Sequence, residues 1–164
     1  MLRLIRNMCT STFRTKQFYS KTLEDINSVL TINPIVYKST EFFDLEKEYI
    51  FKKGWIPVGY TNEFLNDTIV SSNIHNIPII LTKDNSGNIS GFHNVCRHRG
   101  CKLVTTNKKG RSIVCPYHNW SYSLQGDLIT TPNYKPKRKD FHKANYSLYP
   151  ITTSVCNNII FANL

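Results

Sequence analysis

The sequence predicts an all-β domain, an antiparallel β-sandwich or partly open barrel with one short helix before it and two loops rich in Cys and His. From residue 55 onward, short runs of β-branched and aromatic residues recur at the spacing of short strands. Turn-forming residues separate these runs, as at 84–88, where Gly87 can adopt a positive φ. Helical spacing of apolar residues occurs earlier, near residue 40. These observations together favour one β domain for a chain of 164 residues.

The helix is predicted over about 40–52. Ser39 or Thr40 can cap its first turn, and acidic residues follow near the positive N-terminal end. Gly54 ends it, and Trp55 begins an extended segment in which we expect the indole to anchor the core. The apolar face of the helix is formed by residues at helical spacing, Phe42, Leu45, Tyr49 and Ile50.

The strands follow in order along the rest of the chain. The run 89–95 leads into the first Cys/His loop, and two further short runs flank the second loop. A final run closes the predicted sheet near the C-terminus. The predicted strands are 67–74, 77–83, 89–95, 112–114, 122–124, 128–129, 146–149 and 159–162.

Two loops carry the residues that point to chemistry. The first reads C-R-H-R-G-C over 96–101, and the second reads C-P-Y-H-N-W over 115–120. Each loop offers one thiolate and one imidazole, a donor set typical of a soft, redox-capable metal centre. A [2Fe–2S] cluster with two Cys on one iron and two His on the other needs four such ligands. The candidates for both cofactor and metal binding are Cys96, His98, Cys115 and His118.

Two other interpretations of these residues exist. A structural zinc ion can be held by two Cys and two His, but zinc fingers usually order them Cys-Cys and then His-His. Free cysteines are also often simply buried, although two of them, each with a nearby His, are improbable by chance. The mixed order therefore favours the two-iron cluster.

The loop pattern resembles the Rieske domain, which implies a Rieske-type β fold. The motifs C-R-H-R-G and C-P-Y-H-x-W, with the flanking segments 92–94 and 120–122, are similar to the N-terminal Rieske domain of ring-hydroxylating oxygenase large subunits. Within that family the trimethylammonium oxygenases, choline monooxygenase among them, look nearest. Asn119 departs from the Gly or Ala that is common at its position.

Respiratory Rieske proteins differ at several positions. They resemble this chain at Cys101, but their second loop carries a Cys where this chain has Tyr117, so the disulfide of that branch is not expected. Trp120 occupies the position at which respiratory Rieske proteins have a Ser that hydrogen-bonds the cluster. Tyr122 matches the position of a tyrosine that serves as a hydrogen-bond donor in those proteins. The resemblance implies a reduction potential near the low end of the Rieske range.

The resemblance also bears on activity. Family members continue into a domain in which two His and a carboxylate hold a mononuclear iron, and after His118 this chain has only His142, Asp127 and Asp140. We therefore expect an oxidoreductase component that is not a complete oxygenase alone. It would take electrons from a flavin-dependent reductase and pass them to a separate oxygenase component. The alternatives are a truncated oxygenase relic, or a binding module that uses a cluster or zinc only for stability.

The N-terminal 23 residues carry five Arg or Lys and no acidic residue, interspersed with hydroxyl and apolar residues. That composition predicts a transit peptide over 1–23 and a mitochondrial location, the alternative being a disordered basic tail on a cytoplasmic protein. A linker over 24–38 and the Rieske domain over 39–164 would follow.

Charge and hydropathy restrict the partners. The formal net charge is +10, part of it in the run 135–139, which is either a solvated loop or a means of steering an acidic redox partner. No nucleic-acid-binding motif accompanies the charge, so nucleic acid is not an expected partner. No run of 18 apolar residues is present, and no membrane span is predicted.

Overall fold

The structure, a computed structural model, describes residues 12–132 and 141–164. These fall into two compact units, one ending at Ile50 and the other spanning Phe51–Leu164. Residues 1–11 of the predicted leader, which include Arg3 and Arg6, lie outside the described part. The basic run 135–139 lies outside it as well.

The first unit is largely helical. It contains 3-10 helices at Thr12–Arg14, Lys16–Thr22 and Pro34–Tyr37, followed by helix α1 at Thr40–Glu46 and a π-helical segment at Lys47–Phe51. The 3-10 helix at Pro34–Tyr37 lies within the segment expected to be an extended linker.

The start of α1 follows the prediction. The Phe42 backbone N–H donates to Ser39 Oγ at 3.1 Å, as expected of an N-cap serine. The regular α-helix ends at Glu46 rather than near residue 52, because the chain widens into the π-helical segment. The helical span was therefore predicted correctly and its type only in part.

Within its described residues, the second unit has nine strands in two antiparallel sheets. The six-stranded sheet has the order β1-β9-β8-β4-β3-β2, and the three-stranded sheet has the order β5-β6-β7. The strands are β1 Ile56–Tyr60, β2 Ile69–Ile74, β3 Ile77–Lys83, β4 Ile89–His93, β5 Ile113–Val114, β6 Ser121–Tyr122, β7 Leu128–Thr130, β8 Pro150–Cys156 and β9 Ile159–Asn163.

The two ends of the six-stranded sheet approach each other. Ser72 Oγ on β2 donates to the Val58 carbonyl on β1 at 2.5 Å, although no ladder joins these two strands. The sheet is therefore a partly open barrel, and the predicted fold class is confirmed. Its interior is filled by apolar residues from most strands: Val58, Phe64, Val70, Ile74, Ile79, Leu81, Ile151, Ile160 and Ala162.

Strand β3 separates two cores. Ile79 and Leu81 face the barrel interior, whereas Ile80, between them, faces the second core, and all three are fully buried. A strand buried on both faces is expected to be a continuous apolar run rather than an alternating one. The second core joins the barrel to the small sheet and the two loops: Ile69, Ile80, Phe92, Cys96, Leu103, Val104, Ile113, Cys115, Trp120, Tyr122, Leu124, Leu128 and Leu148.

Two predictions about this unit were wrong. The segment 146–149 is not a strand: it follows a 3-10 helix at Lys143–Tyr146, and the sheet takes β8 from residue 150 onward instead. Trp55 is not a core anchor, because its side chain is 49% exposed, immediately before β1 begins. Among the residues described here, no helix is long and apolar enough to cross a membrane.

Candidate metal centre

Each sheet contributes one Cys/His loop. The first loop, Cys96–Cys101, follows β4 of the six-stranded sheet, and the second loop, Cys115–Trp120, connects β5 and β6 of the small sheet. The strands β5 and β6 pair in register, with Ile113 opposite Tyr122. The four candidate ligands are therefore held by two separate sheets that share one core.

The first loop closes on itself by backbone hydrogen bonds. The Cys96 N–H donates to the Cys101 carbonyl at 2.8 Å, and the Gly100 N–H donates to the Cys96 carbonyl at 3.0 Å. Gly100 has φ +70°, a conformation that favours glycine.

The second loop repeats this arrangement. The Cys115 N–H donates to the Trp120 carbonyl at 2.8 Å, and the Asn119 N–H donates to the Cys115 carbonyl at 3.0 Å. Asn119 has φ +56° and takes the place of the glycine. The histidines differ in position, since His98 is two residues after its cysteine and His118 is three.

The two thiols are buried side by side. Cys96 is 3% exposed and Cys115 is 1% exposed, and their sulfur atoms lie within hydrogen-bonding reach of each other. Burial raises the pKa of the Cys96 thiol. Burial also acts to raise the pKa of Cys115, but backbone N–H groups of His118 and Tyr117 donate to its sulfur, and the net effect is a pKa below its usual value. Such donors favour the thiolate, the form that binds metal.

Tyr122 supports the first thiol. Its hydroxyl lies 3.3 Å from Cys96 Sγ and accepts a hydrogen bond from the Arg97 backbone N–H at 3.1 Å. Since the hydroxyl oxygen already accepts from Arg97, its proton is available to the sulfur. Burial, followed by the contact with Cys96, raises the pKa of Tyr122 well above its usual value, so the group is a neutral donor.

The two imidazoles are adjacent and half-buried. The ring centroids of His98 and His118 are 4.6 Å apart. Trp120 stacks on His98 at 4.7 Å with the planes 9° apart, and Tyr117 contacts His118 at 3.8 Å. Burial, then His118 and Arg99, lower the pKa of His98, which favours the neutral imidazole that a metal requires.

The donors are thus arranged as two pairs, a buried pair of thiols and a more accessible pair of imidazoles. Among the Cys, His, Asp and Glu residues within 12–132 and 141–164, no group of three converges as ligands to a single metal ion. The donor set combines soft sulfur with borderline nitrogen, and the sulfurs receive hydrogen bonds from N–H and O–H groups. This chemistry fits an iron-sulfur cluster.

A third thiol lies close to this site. Cys101 is half-buried against the same core, and its sulfur is within reach of Cys115. In respiratory Rieske proteins, a disulfide joins the counterpart of Cys101 to a second Cys. This chain has Tyr117 at the position of that second Cys, and Tyr117 is exposed. Cys101 is a free thiol in the structure.

Arg97 is an organising residue that the sequence did not identify. Its guanidinium donates to the carbonyls of Ser147 at 2.6 Å and Asn145 at 3.2 Å, and it lies 3.8 Å from the centre of the Tyr149 ring. It holds the first loop against the segment that precedes β8. In the same segment, the Leu148 N–H donates to the Gly126 carbonyl and the Tyr149 carbonyl accepts from the His93 N–H, so 146–149 bonds to several different neighbours instead of forming a strand ladder.

Asn94 plays a similar part at the base of the first loop. Its buried side chain accepts from the backbone N–H groups of Leu103 and Val104, each at 2.9 Å, and donates to the Val104 carbonyl at 2.6 Å. The signal in the sequence is an asparagine within the predicted strand 89–95, because an amide that is buried in a strand requires hydrogen-bond partners.

Comparison with known proteins identifies the family. Residues 54–151 match the family described as the Rieske [2Fe-2S] domain. The chain belongs to this family. A Rieske domain binds a [2Fe–2S] cluster, so the predicted family and cofactor are both confirmed.

Two known relatives of the chain are monooxygenases or their subunits. It is 35% identical over 130 residues to the glycine betaine monooxygenase oxygenase subunit of Chromohalobacter salexigens, covering 78% of this chain and 29% of that protein. It is 29% identical over 129 residues to the chloroplastic choline monooxygenase of Spinacia oleracea, with the same coverage of both chains. The chain thus spans less than a third of the length of these relatives, which are bacterial or chloroplastic and do not support a mitochondrial location.

A solved structure shares the fold. The naphthalene 1,2-dioxygenase from Rhodococcus sp. bound to indole superposes with a TM-score of 0.79 at 29% identity, covering 91% of this chain and 35% of that one. The barrel with its smaller sheet is therefore the architecture of a Rieske oxygenase domain.

Proposed function

We propose that Cys96, His98, Cys115 and His118 hold one [2Fe–2S] cluster, with the two thiolates on the inner iron and the two imidazoles on the outer iron. The observation that carries this assignment is the division into a buried thiol pair and a half-buried imidazole pair. When bound, the cluster supplies a centre that accepts and releases one electron.

The protein's own residues define how the electron is exchanged. Backbone N–H groups and the Tyr122 hydroxyl stabilise negative charge on the sulfurs, while the second core excludes water from them. The imidazoles are the ligands nearest the surface, so we assign them to the route of outer-sphere transfer. Trp120 and Tyr117 hold the two rings in place.

Within an oxygenase system, the domain would receive electrons from a flavin-dependent reductase and deliver them to a mononuclear-iron oxygenase site. One relative named above is a monooxygenase oxygenase subunit and the other is a monooxygenase, which supports this role. Their substrates suggest a trimethylammonium compound for the whole system. A similar domain occurs in a naphthalene dioxygenase, so the Rieske domain itself does not select the substrate.

Metal analysis and spectroscopy test the assignment. Anaerobically purified protein should contain two irons and two acid-labile sulfides, and its reduced form should give the Rieske EPR signal. His118→Ala should abolish that signal, whereas the matched change His142→Ala, at an exposed histidine, should leave it intact. Stoichiometric zinc without iron would refute the assignment and support the stabilised binding module instead.

Replacement of a single ligand gives a second test. His118→Cys should still bind a cluster, but with an absorption spectrum typical of a ferredoxin and a lower potential, because a thiolate donates more charge than an imidazole. Cys156→Ser, at an exposed cysteine, should change neither property. An unchanged Rieske spectrum in the His118→Cys protein would show that His118 is not a ligand.

The potential follows from the loop residues. We expect a value toward the low end of the Rieske range of roughly −150 to +300 mV, because Tyr117 and Trp120 replace the disulfide and hydroxyl features that raise it. Protein-film voltammetry measures this value. A potential near the top of the range would contradict the assignment to the oxygenase branch.

The activity of the chain alone is a separate question. We expect this chain, supplied with a reductase and a trimethylammonium substrate, to consume no more oxygen than a control without substrate. Both irons of a Rieske cluster are saturated by sulfide and protein ligands, which leaves no position for dioxygen. Stoichiometric hydroxylated product from these two proteins alone would overturn this expectation.

The N-terminal leader and the division at residues 23 and 38 also remain proposals. We propose that a mitochondrial transit peptide is removed between about Phe18 and Asn27, on the basis of the acid-free, Arg-containing composition of the first 23 residues. N-terminal sequencing of protein isolated from its native cells tests this. Bulk protein in the cytosol that retains Met1 would rule it out.

A further inference from the structure

The chain segment that carries the two loops is rich in cations. Residues 85–126 contain six Arg or Lys and no Asp or Glu, and both loops lie within this interval. The six cations are Arg97, Arg99, Lys102, Lys108, Lys109 and Arg111. Exposed cations next to a redox centre create a field that favours partners of opposite charge.

Two of these cations are exposed on or beside the first loop. Arg99 directly follows His98 and is close enough to that ring to influence it electrostatically, and Lys102 follows Cys101. Arg97 differs from them, because its guanidinium is engaged by the Ser147 and Asn145 carbonyls. Arg99 and Lys102 are therefore the loop cations that face solvent.

An aromatic side chain is exposed on the second loop. Tyr117 is 61% exposed, although its ring contacts His118 at 3.8 Å between centroids. Exposed aromatic residues and Arg are enriched at protein–protein interfaces. Each imidazole thus has one exposed neighbour, a cation beside His98 and an aromatic ring on His118.

We propose that Tyr117, Arg99 and Lys102 form the docking surface for an acidic electron-donor protein, with Tyr117 making the contact through which the electron reaches His118. This inference rests on the proposed function, since it assumes that His98 and His118 ligate the cluster. It adds the position of the surface, the charge of the partner and the residue at the point of contact.

The sign of the field can be measured without knowing the natural donor. The reduced cluster would be oxidised by an anionic complex, [Co(EDTA)]⁻, or by a cationic one, [Co(phen)₃]³⁺. In each case one electron leaves the cluster and Co(III) becomes Co(II). Stopped-flow rates with the anion should fall several-fold as the ionic strength rises from about 0.01 to 0.1 M, because salt screens the attraction. Rates with the cation should rise.

Matched charge reversals locate the field. Arg99→Glu should lower the low-salt rate with the anion several-fold, whereas Lys83→Glu should leave it nearly unchanged. Lys83 pairs with Ile89 at the end of β4 remote from the first loop, so it provides the same charge change at a distance. Equal effects of the two variants, or a wild-type rate with the anion that does not fall as salt is added, would overturn the proposal.

Tyr117 is tested with a protein donor. With a reduced acidic [2Fe–2S] ferredoxin as the probe, Tyr117→Ser should raise the half-saturating ferredoxin concentration several-fold, whereas Tyr117→Phe, which keeps the ring against His118, should leave it near the wild-type value. The control is Tyr60→Ser, at a residue that is 58% exposed at the end of β1. An unchanged half-saturating concentration in Tyr117→Ser would refute its role in docking. Absence of the Rieske EPR signal from the wild-type protein would instead refute the proposed function.

Discussion

Gly100 and Asn119 occupy the same position in the two loops, each four residues after a cysteine whose carbonyl accepts its N–H. Both have a positive φ, +70° for the glycine and +56° for the asparagine. Asparagine is one of the few residues other than glycine that tolerates this conformation. The departure from the Gly or Ala expected at 119 is therefore explained by the backbone of the loop.

The conformation of Asn119 leads to a first prediction. Asn119→Gly should retain full iron content and change the free energy of unfolding by less than about 1 kcal/mol. Asn119→Val should cost about 1–3 kcal/mol, since a β-branched residue is strained at positive φ, and should lower the iron content. Asn157→Val, at another positive φ in the β8–β9 turn, is the control and should cost stability without loss of iron. Full iron content in Asn119→Val would contradict the argument.

The Tyr122 hydroxyl should raise the potential of the cluster. Tyr122→Phe removes a donor to Cys96 Sγ, and a hydrogen bond worth about 1 kcal/mol corresponds to roughly 40 mV for one electron. We expect the potential to fall by about that amount in voltammetry. Tyr146→Phe is the matched control, because that ring packs on Trp120 in the same core. A potential unchanged in Tyr122→Phe would mean that the hydroxyl does not donate to the sulfur.

Two glycines with the same backbone conformation should differ in their tolerance of alanine. Gly87 and Gly126 both have φ +87°, but a Cβ on Gly87 meets nothing within 4 Å, whereas one on Gly126 would lie 2.4 Å from Phe92 Cε1. Gly87→Ala should cost about 1–2 kcal/mol for the backbone alone. Gly126→Ala should cost a further 1–3 kcal/mol, roughly, for overpacking. Urea unfolding of both variants measures the difference, and equal costs would show that the Phe92 ring moves aside.

His93 should make the fold sensitive to mild acid. Burial lowers its pKa in the folded protein below the usual 6.5. Between the folded pKa and 6.5 the unfolded chain binds more protons, so stability rises with pH across this window and is lost as the pH falls. The loss in urea midpoint between pH 7.5 and pH 5.5 should be smaller in His93→Phe than in the wild type. His142→Phe should behave like the wild type, and a His93→Phe protein with an undiminished loss would assign the sensitivity to other groups.

The amino-acid sequence predicted correctly those features that depend on residues close together in the chain. Strand β3 has the predicted bounds of 77–83, the Ser39 cap begins α1, and the spacing of Cys and His in the loops identified a Rieske domain. These features follow from propensities, turn residues and the ligand requirements of a metal, all of which are visible within a few residues.

Predictions from the sequence were wrong where the conformation of a segment depends on residues that are distant in the chain. The segment 146–149 has the composition of a strand, yet its Ser147 carbonyl accepts from the Arg97 guanidinium, which is 50 residues earlier in the chain. Trp55 has the size and apolarity of a core residue, but its position just outside β1 leaves it half exposed. Neither outcome can be read from composition, because each depends on which groups the tertiary structure brings together.

The division of the two loops between two sheets has a consequence for how the holoprotein is made. The small sheet consists of strands of two, two and three residues, too short to be stable in isolation, and it carries one loop, while the barrel carries the other. Metal coordination at 96 and 115 would tie these layers together across about twenty residues of chain, much as a disulfide closes a loop. Iron insertion would therefore complete the architecture as well as the redox centre, and removal of iron by a chelator should release the small sheet first, while the barrel persists.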